Sequence, residues 1–409
     1  MVKPGCIFFA LKGENFNGND FAAEAIGNGA KLAVVDEQKG VPDKRIIKVN
    51  SVLESLQHLA SVHRKHLDVK IIALTGTNGK TTTKELISRV LSKKFEVMST
   101  KGNLNNHIGV PLTVLSFTKG LDFGVVEMGA NHIGEIAELC TIAQPDFGLI
   151  TNIGKAHLEG FGSLHGVLKA KSELYDYLRK KKGMIFLNAE NELLLKASEG
   201  LRSFTYGLNP AANCRGKILS NSPYLLIECR WGGDEITTMK TNLIGTYNFE
   251  NVMAAAAVGN YFDIPVDSIQ EAIESFIPEN NRSQIIKTTH NTVILDAYNA
   301  NPSSMKAAIE NFADGGFENK VLILGDMFEL GRQSETEHRN ILQLIGNRDF
   351  DRIFLIGSYF QKVNESTHYQ SFTSTASMLD YLKNKPLSGN AILVKGSRKM
   401  ELERLLPYL

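Results

Sequence analysis

The chain has 409 residues, 43% of them hydrophobic and 22% charged, which is material for two to four ordinary domains at about 150 residues each. A formal charge of +1 excludes the strong global field that would recruit nucleic acid or an anionic membrane. No apolar run approaches the roughly 18 residues that span a bilayer, the N-terminus lacks a signal peptide's layout, and Cys6, Cys140, Cys214 and Cys229 show no CxxC or zinc spacing, so a cytoplasmic protein with reduced thiols and no membrane insertion is expected.

Residues 1–68 open with three short β-type runs, CIFFAL, KLAVVD and RIIKVN, followed by the helical pattern VLESLQHLASVHRKHL. From Val69 strand and helix alternate: KIIALT, the helix after Lys80, DFGVVEM, the helix around GEIAELC, then DFGLITNI. Buried apolar strands alternating with helices predict a mostly parallel sheet covered on both faces. The segment IPENNRSQ interrupts this pattern near residue 280, and a further α/β set, TVILDAY, KVLILGD, RIFLIG and AILVKG, fills 281–409. The expected fold class is therefore α/β in three domains: a small N-terminal unit (1–68), a central mononucleotide-binding unit (69–280) and a Rossmann-like C-terminal unit (281–409).

Residues 75–83, TGTNGKTTT, stand between the strand KIIALT and a helical pattern. The full phosphate-loop signature places a glycine five residues before the second one, where this chain has Leu74. The physics of the loop survives that change. Gly76 and Gly79 permit a tight turn and present N–H groups to phosphate oxygens, with Thr77 and Asn78 between them in the nucleotide-binding stretch. The helix directs its positive end at the same place, Lys80 can reach the outer phosphates, and Thr81 can offer its hydroxyl to Mg²⁺, with Thr82 beside it. Leu86, Ile87, Val90 and Leu91 recur at helical spacing, so the loop opens a helix. A bound nucleotide is expected.

Glu127 ends the strand FGVVE and His157 follows FGLITNI. Each alone reads as a solvated strand end or a polar loop residue, but both follow strands of the sheet that carries the phosphate loop, so they should converge on the phosphates. Lys169 and Lys171, in VLKAKSELYDYL, read by default as a solvated basic helix face.

Together TGTNGKTTT, VVEMGANHIGEI, TNIGKAHLEGFGS, KAKSEL, NFENVMAAAA, DAYNANPSSM, LGDMFELG and VKGSR resemble the Mur ligases, nearly end to end, and this superfamily uses the shortened G-T-x-G-K-T loop. DAYNANPSSM and LGDMFELG resemble the branch that adds a dipeptide. The resemblance implies ATP-dependent, ADP-forming ligation of D-alanyl-D-alanine to UDP-N-acetylmuramoyl-tripeptide through an acyl phosphate, a cytoplasmic step of peptidoglycan synthesis, in a protein that is usually a monomer. It implies that Lys80 and Thr81 hold ATP phosphate and Mg²⁺, and that Glu127, His157 and a carbamylated Lys171 serve two metal ions. Asn248 and Asn251 match an asparagine pair near adenine, Arg282 an arginine reaching the nucleotide, and Asp296, Tyr298 and Asn299 the C-terminal domain's contacts to ATP. Asn105 and Asn106 resemble a loop bordering the muramoyl-peptide site, and Lys395, Ser397 and Arg398 a C-terminal surface element facing the cleft. The family's opening Ser/Thr-Asp-Ser/Thr-Arg motif has no counterpart before CIFF, and the resemblance leaves two readings open: a start codon assigned too late, or a uridine pocket lacking part of its contacts. A single-amino-acid-adding relative, a folylpolyglutamate synthetase and a nucleotide-binding protein without ligase chemistry stay as alternatives.

Overall fold

The computed structural model describes residues 2–37, 43–231, 235–279, 281–367 and 369–409. Three sheets of three or more strands organise the described residues, beside a two-stranded antiparallel pair, Lys12–Gly13 with Phe16–Asn17. The N-terminal sheet is small and wholly parallel, with β1 (Ile7–Phe9), β2 (Leu32–Val35) and β3 (Ile46–Lys48) in the order β1-β2-β3. Helix α1 (Val52–His66) follows, with the Ser51 side chain accepting from Glu54 N as its cap. Although it precedes the central strands, this helix packs on the central unit. Its Ala60 lies in that unit's core, and Arg64 reaches the Ala143 and Gln144 carbonyls and pairs with Asp146 at 2.9 Å.

The central sheet has nine strands. They are β4 (Lys70–Thr75), β5 (Val97–Ser99), β6 (Phe123–Glu127), β7 (Phe147–Ile150), β8 (Met184–Asn188), β9 (Arg202–Gly207), β10 (Cys214–Ser220), β11 (Leu226–Arg230) and β12 (Ile236–Lys240). Their order is β12-β11-β10-β9-β8-β7-β4-β6-β5. From β4 the chain continues to β6 and β5 on one side and to β7 and its successors on the other, so β4 sits where the winding reverses. That is where an open α/β sheet leaves a crevice at its carboxyl edge. Strand alternation fills both faces: Ile72 and Leu74 enter one core with Leu86, Ile87, Val90 and Leu91 of α2 (Lys80–Leu91), while Ile71 and Ala73 enter the other. The β10–β12 ribbon is antiparallel, an extension absent from the sequence reading. Helices α3 (Glu135–Ala143) and α4 (Leu164–Lys181) cover one face and α5 (Asn248–Tyr261) packs with α2 on the other.

The C-terminal sheet runs β13-β14-β18-β15-β16-β17, from β13 (Gln284–Lys287), β14 (Thr292–Asp296), β15 (Lys320–Gly325), β16 (Arg352–Ile356), β17 (Gln370–Phe372) and β18 (Ala391–Lys395). Only the edge strand β13 is antiparallel. Helix α6 (Pro302–Asp314) starts on a capping box formed by Asn301 and Ser304, and α7 (Ser334–Gly346) lies beside it. The four cysteines are free thiols. Among the described residues no helix is long and apolar enough to cross a membrane.

Candidate active site

The β4–α2 turn takes the shape its glycines permit. Gly76 has φ 141° and Gly79 φ 78°, and a Cβ on either would meet Thr151 Oγ1 at 2.0 Å or Asn251 Oδ1 at 2.4 Å. Gly79 caps α2 without any side-chain hydrogen bond, so the first-turn N–H groups remain directed at the cleft. Lys80 Nζ folds back to donate to the carbonyls of Gly76 at 2.9 Å and Thr77 at 3.1 Å. Burial lowers its pKa; Glu127 opposes that effect and Arg282 adds to it.

Glu127 reaches the same turn from the neighbouring strand. Its carboxylate accepts from Thr81 Oγ1 at 2.9 Å and from Asn105 Nδ2 at 2.8 Å, and its own N–H donates to Thr100 Oγ1 at 3.0 Å. The buried carboxylate is thus aimed by three groups at the turn that carries the phosphate loop. The segment after β7 clamps the loop. Asn78 N donates to Asn152 Oδ1 at 2.9 Å, Thr151 Oγ1 donates to Asn78 O at 2.6 Å, and Gly154 N donates to Thr77 Oγ1 at 2.9 Å. His157 follows in left-handed backbone, φ 48°. Its Nδ1 stands 2.7 Å from Glu329 Oε2 of the C-terminal unit, a close ion-pair approach that is not an aligned hydrogen bond, and it holds the Glu329 carboxyl below its usual range.

Across a cleft of about 610 Å³, the C-terminal unit offers Asp296, Tyr298, Asn299 and Lys395. Asp296 and Lys395 are register partners at the carboxyl ends of β14 and β18, with Lys395 Nζ 2.6 Å from Asp296 Oδ2. Arg282 stacks its guanidinium 3.7 Å from the centre of the Tyr298 ring.

Three family models match the chain: the Mur ligase family catalytic domain over residues 1–73, the Mur ligase middle domain over 74–259, and the Mur ligase glutamate ligase domain over 281–398. A protein of Bacillus subtilis named UDP-N-acetylmuramoyl-tripeptide–D-alanyl-D-alanine ligase is 35% identical, with 98% of this chain and 90% of the relative covered. The chain belongs to the Mur ligase family. Among solved structures, MurF from Acinetobacter baumannii is similar at 30% identity and a TM-score of 0.89, covering 99% of this chain and 90% of that one. MurF ligase from Thermotoga maritima, solved in complex with ADP, gives 27% identity and a TM-score of 0.88, covering 100% and 94%.

This Mur ligase gathers most of the residues singled out from its sequence. Thr77, Asn78, Gly79, Lys80, Thr81, Thr82, Glu127, His157, Arg282, Asp296, Tyr298 and Asn299 all line the one cleft, and Gly76 stands behind it at the turn. Asn248 and Asn251 line it too, yet their buried amides hold helices together. Asn251 accepts from Thr83 Oγ1 at 3.0 Å and donates to Asn248 Oδ1 at 2.8 Å. Asn105 spends its amide on Glu127, and Asn106 accepts from Gly109 N at 2.9 Å at a helix start.

Two expectations are corrected. Lys171 does not lie on a solvated face: it is 2% exposed, donates to Ala130 O at 3.3 Å and sits 5.2 Å from the Phe161 ring, while Lys169 is exposed. Burial, reinforced by Lys80 and opposed by Glu135 and Glu173, lowers its pKa to about 7. Lys395 and Ser397 are likewise no surface element. Both are buried, Ser397 accepting from Phe328 N at 2.9 Å, and only Arg398 is exposed, 5.9 Å from the Tyr298 ring. Thr151, Asn152 and Glu329 were not recognised as site residues. The Thr-Asn pair directly after a central strand was the available signal for the first two.

The Lys395–Asp296 pair yields a stability prediction. Lys395→Met leaves Asp296 with Ser283 N–H but no cation, and it should destabilise the C-terminal unit by about 3 kcal/mol, the lower end for breaking a buried pair. Urea unfolding followed by tryptic cleavage within 281–409 would measure it.

Proposed function

We propose that this Mur ligase joins D-alanyl-D-alanine to UDP-N-acetylmuramoyl-tripeptide with hydrolysis of ATP to ADP and phosphate, in the cytoplasm. The tripeptide carboxylate takes the γ-phosphoryl group, the dipeptide amine attacks the acyl phosphate, and collapse gives the amide. ATP and a carboxylate repel one another, so the work of the site is charge neutralisation and positioning. Lys80 supplies a cation at the loop, the α2 N–H groups bind phosphate oxygens, and Arg282 with Tyr298 forms a flat platform suited to the nucleotide.

The donor set suits Mg²⁺ at one position. Thr81 Oγ1 and the Glu127 carboxylate, 2.9 Å apart, are hard oxygens, and magnesium commonly completes its shell from phosphate and water. Among the described residues no cluster of three or more His, Cys, Asp or Glu forms, so the fit rests on that pair. A second ion would need His157 together with Lys171 converted to its carbamate, since a bare ammonium repels cations. Bound there, magnesium would supply charge neutralisation between the two anionic substrates.

The observation that carries the reading is the meeting of Lys80, Thr81 and Glu127 from the central unit with Arg282 and Asp296 in one cleft, in a chain 35% identical to a ligase of that name. The test is ADP release with UDP-N-acetylmuramoyl-tripeptide and either D-alanyl-D-alanine or single amino acids. Turnover should require the dipeptide. Turnover with one amino acid alone, or none with any amine, overturns the assignment.

A further inference from the structure

The segment between β7 and α4 that carries His157 is held by the C-terminal unit on both sides of that histidine. Upstream, Lys155 N donates to Ser303 Oγ at 2.8 Å, and Lys155 Nζ meets Glu337 Oε1 of α7 at 2.7 Å. The two units approach so closely here that a Cβ on Gly154 would stand 2.7 Å from Ser303 Oγ. Downstream, Glu159 N donates to Glu329 O at 3.3 Å and Gln333 Nε2 to Gly162 O at 3.3 Å. Asn301, the cap of α6, adds a bond from its Nδ2 to Asn78 Oδ1 of the phosphate loop at 2.8 Å.

Glu337 is the unusual member of this set. A carboxylate in the first turn of a helix is ordinary, because the helix end favours it. One whose side chain is only 6% exposed is not, and the cation facing it is Lys155 of the other unit, itself 47% exposed. Asn340 Nδ2, at 3.4 Å, is a weak donor beside it. In the docked arrangement the Glu337 charge is buried, and such burial is unfavourable unless a cation stands in register. The lysine therefore works as a key: the docked arrangement is favourable when Lys155 is present at this depth, and in that arrangement residues 154–162 are fixed.

We infer that Lys155 and Glu337 are positioning residues for the ligase reaction, acting through domain docking to hold the His157 segment over the phosphate loop. The inference rests on the ligase reading. Neither residue belongs to the nucleotide-binding set, and both act through the backbone between Asn152 and Gly162.

The test uses the full chain in four forms: wild type, Lys155→Glu, Glu337→Lys and the double exchange, which restores an opposite-charge pair. Each single exchange should lower kcat about 30-fold or more while KM for ATP moves less than about threefold, since the loop itself is intact. The double exchange should recover to within about fivefold of wild type. Solution scattering with and without ADP supplies a readout independent of turnover: single exchanges should enlarge the radius of gyration and the double should return it. Wild-type kcat in the singles, a double no better than its parents, or scattering curves that superimpose would each overturn the inference. If wild type proves inactive with every amine, the ligase reading fails, and the scattering arm still decides whether this pair docks the domains.

Discussion

Lys80→Met is expected to lower kcat/KM for ATP-dependent ligation by about 10³-fold with little change in stability. The methionine keeps most of the apolar stem and removes the charge together with its two hydrogen bonds to loop carbonyls. Lys80 Nζ rests on the Gly76 and Thr77 carbonyls, so the ammonium lies at the base of the phosphate cradle rather than in bulk water. Half-burial strengthens its field at that point. Lys80→Arg should not rescue: a planar five-donor fork cannot follow the compact path of an ammonium between two carbonyls 2.9 and 3.1 Å away. Steady-state ADP release measures the rate, and calorimetric titration with ADP separates lost binding from lost chemistry. An arginine variant within tenfold of wild type would show that a diffuse positive field suffices.

The parts of this site legible in the sequence were those encoded locally. A strand, a glycine turn and the 86, 87, 90, 91 stripe define the phosphate loop within about twenty residues, and the alternation of strand with helix sets the parallel core. Glu127 and His157 were reachable because strands of one parallel sheet end on one edge. Structure made across distance was not legible. Asp296 and Lys395 pair over 99 residues because β14 and β18 are neighbours, a fact of strand order that no local pattern carries. The β10–β12 ribbon escaped because short strands bounded by polar residues mimic loops.

Lys171 shows how the residues alone can point two ways. Its neighbours Lys169, Arg179, Lys180 and Lys181 suggest a solvated helix, yet Leu174, Tyr175 and Leu178 stand three, four and seven residues beyond it. That spacing puts Lys171 on the buried stripe. Charge pattern and helical phase disagreed, and phase decided.

Replacing this buried amine has the second large expected effect: Lys171→Ala should lose about 10²- to 10³-fold in kcat, partly restored by formate. The argument begins with its pKa of about 7, set first by burial. Near neutral pH a large fraction of Lys171 is free amine, which can add to carbon dioxide, forming one N–C bond and releasing one proton to leave an anionic carbamate. Acid opposes this by protonating the amine. Activity should therefore fall reversibly below about pH 7, and added bicarbonate should move that limb to lower pH. Stability carries the matching sign. Unfolded, the lysine titrates near 10.5; folded and unmodified, near 7, so between these values the unfolded chain binds more protons and stability rises with pH. Below pH 7 both forms are charged and the burial penalty is complete. Lys171→Ala should flatten that rise in thermal unfolding measured from pH 7 to 10 under carbon dioxide-free buffer. Formate rescue without the flattening would place the anion requirement elsewhere, because a lysine that does not titrate in this range could not be converted to a carbamate.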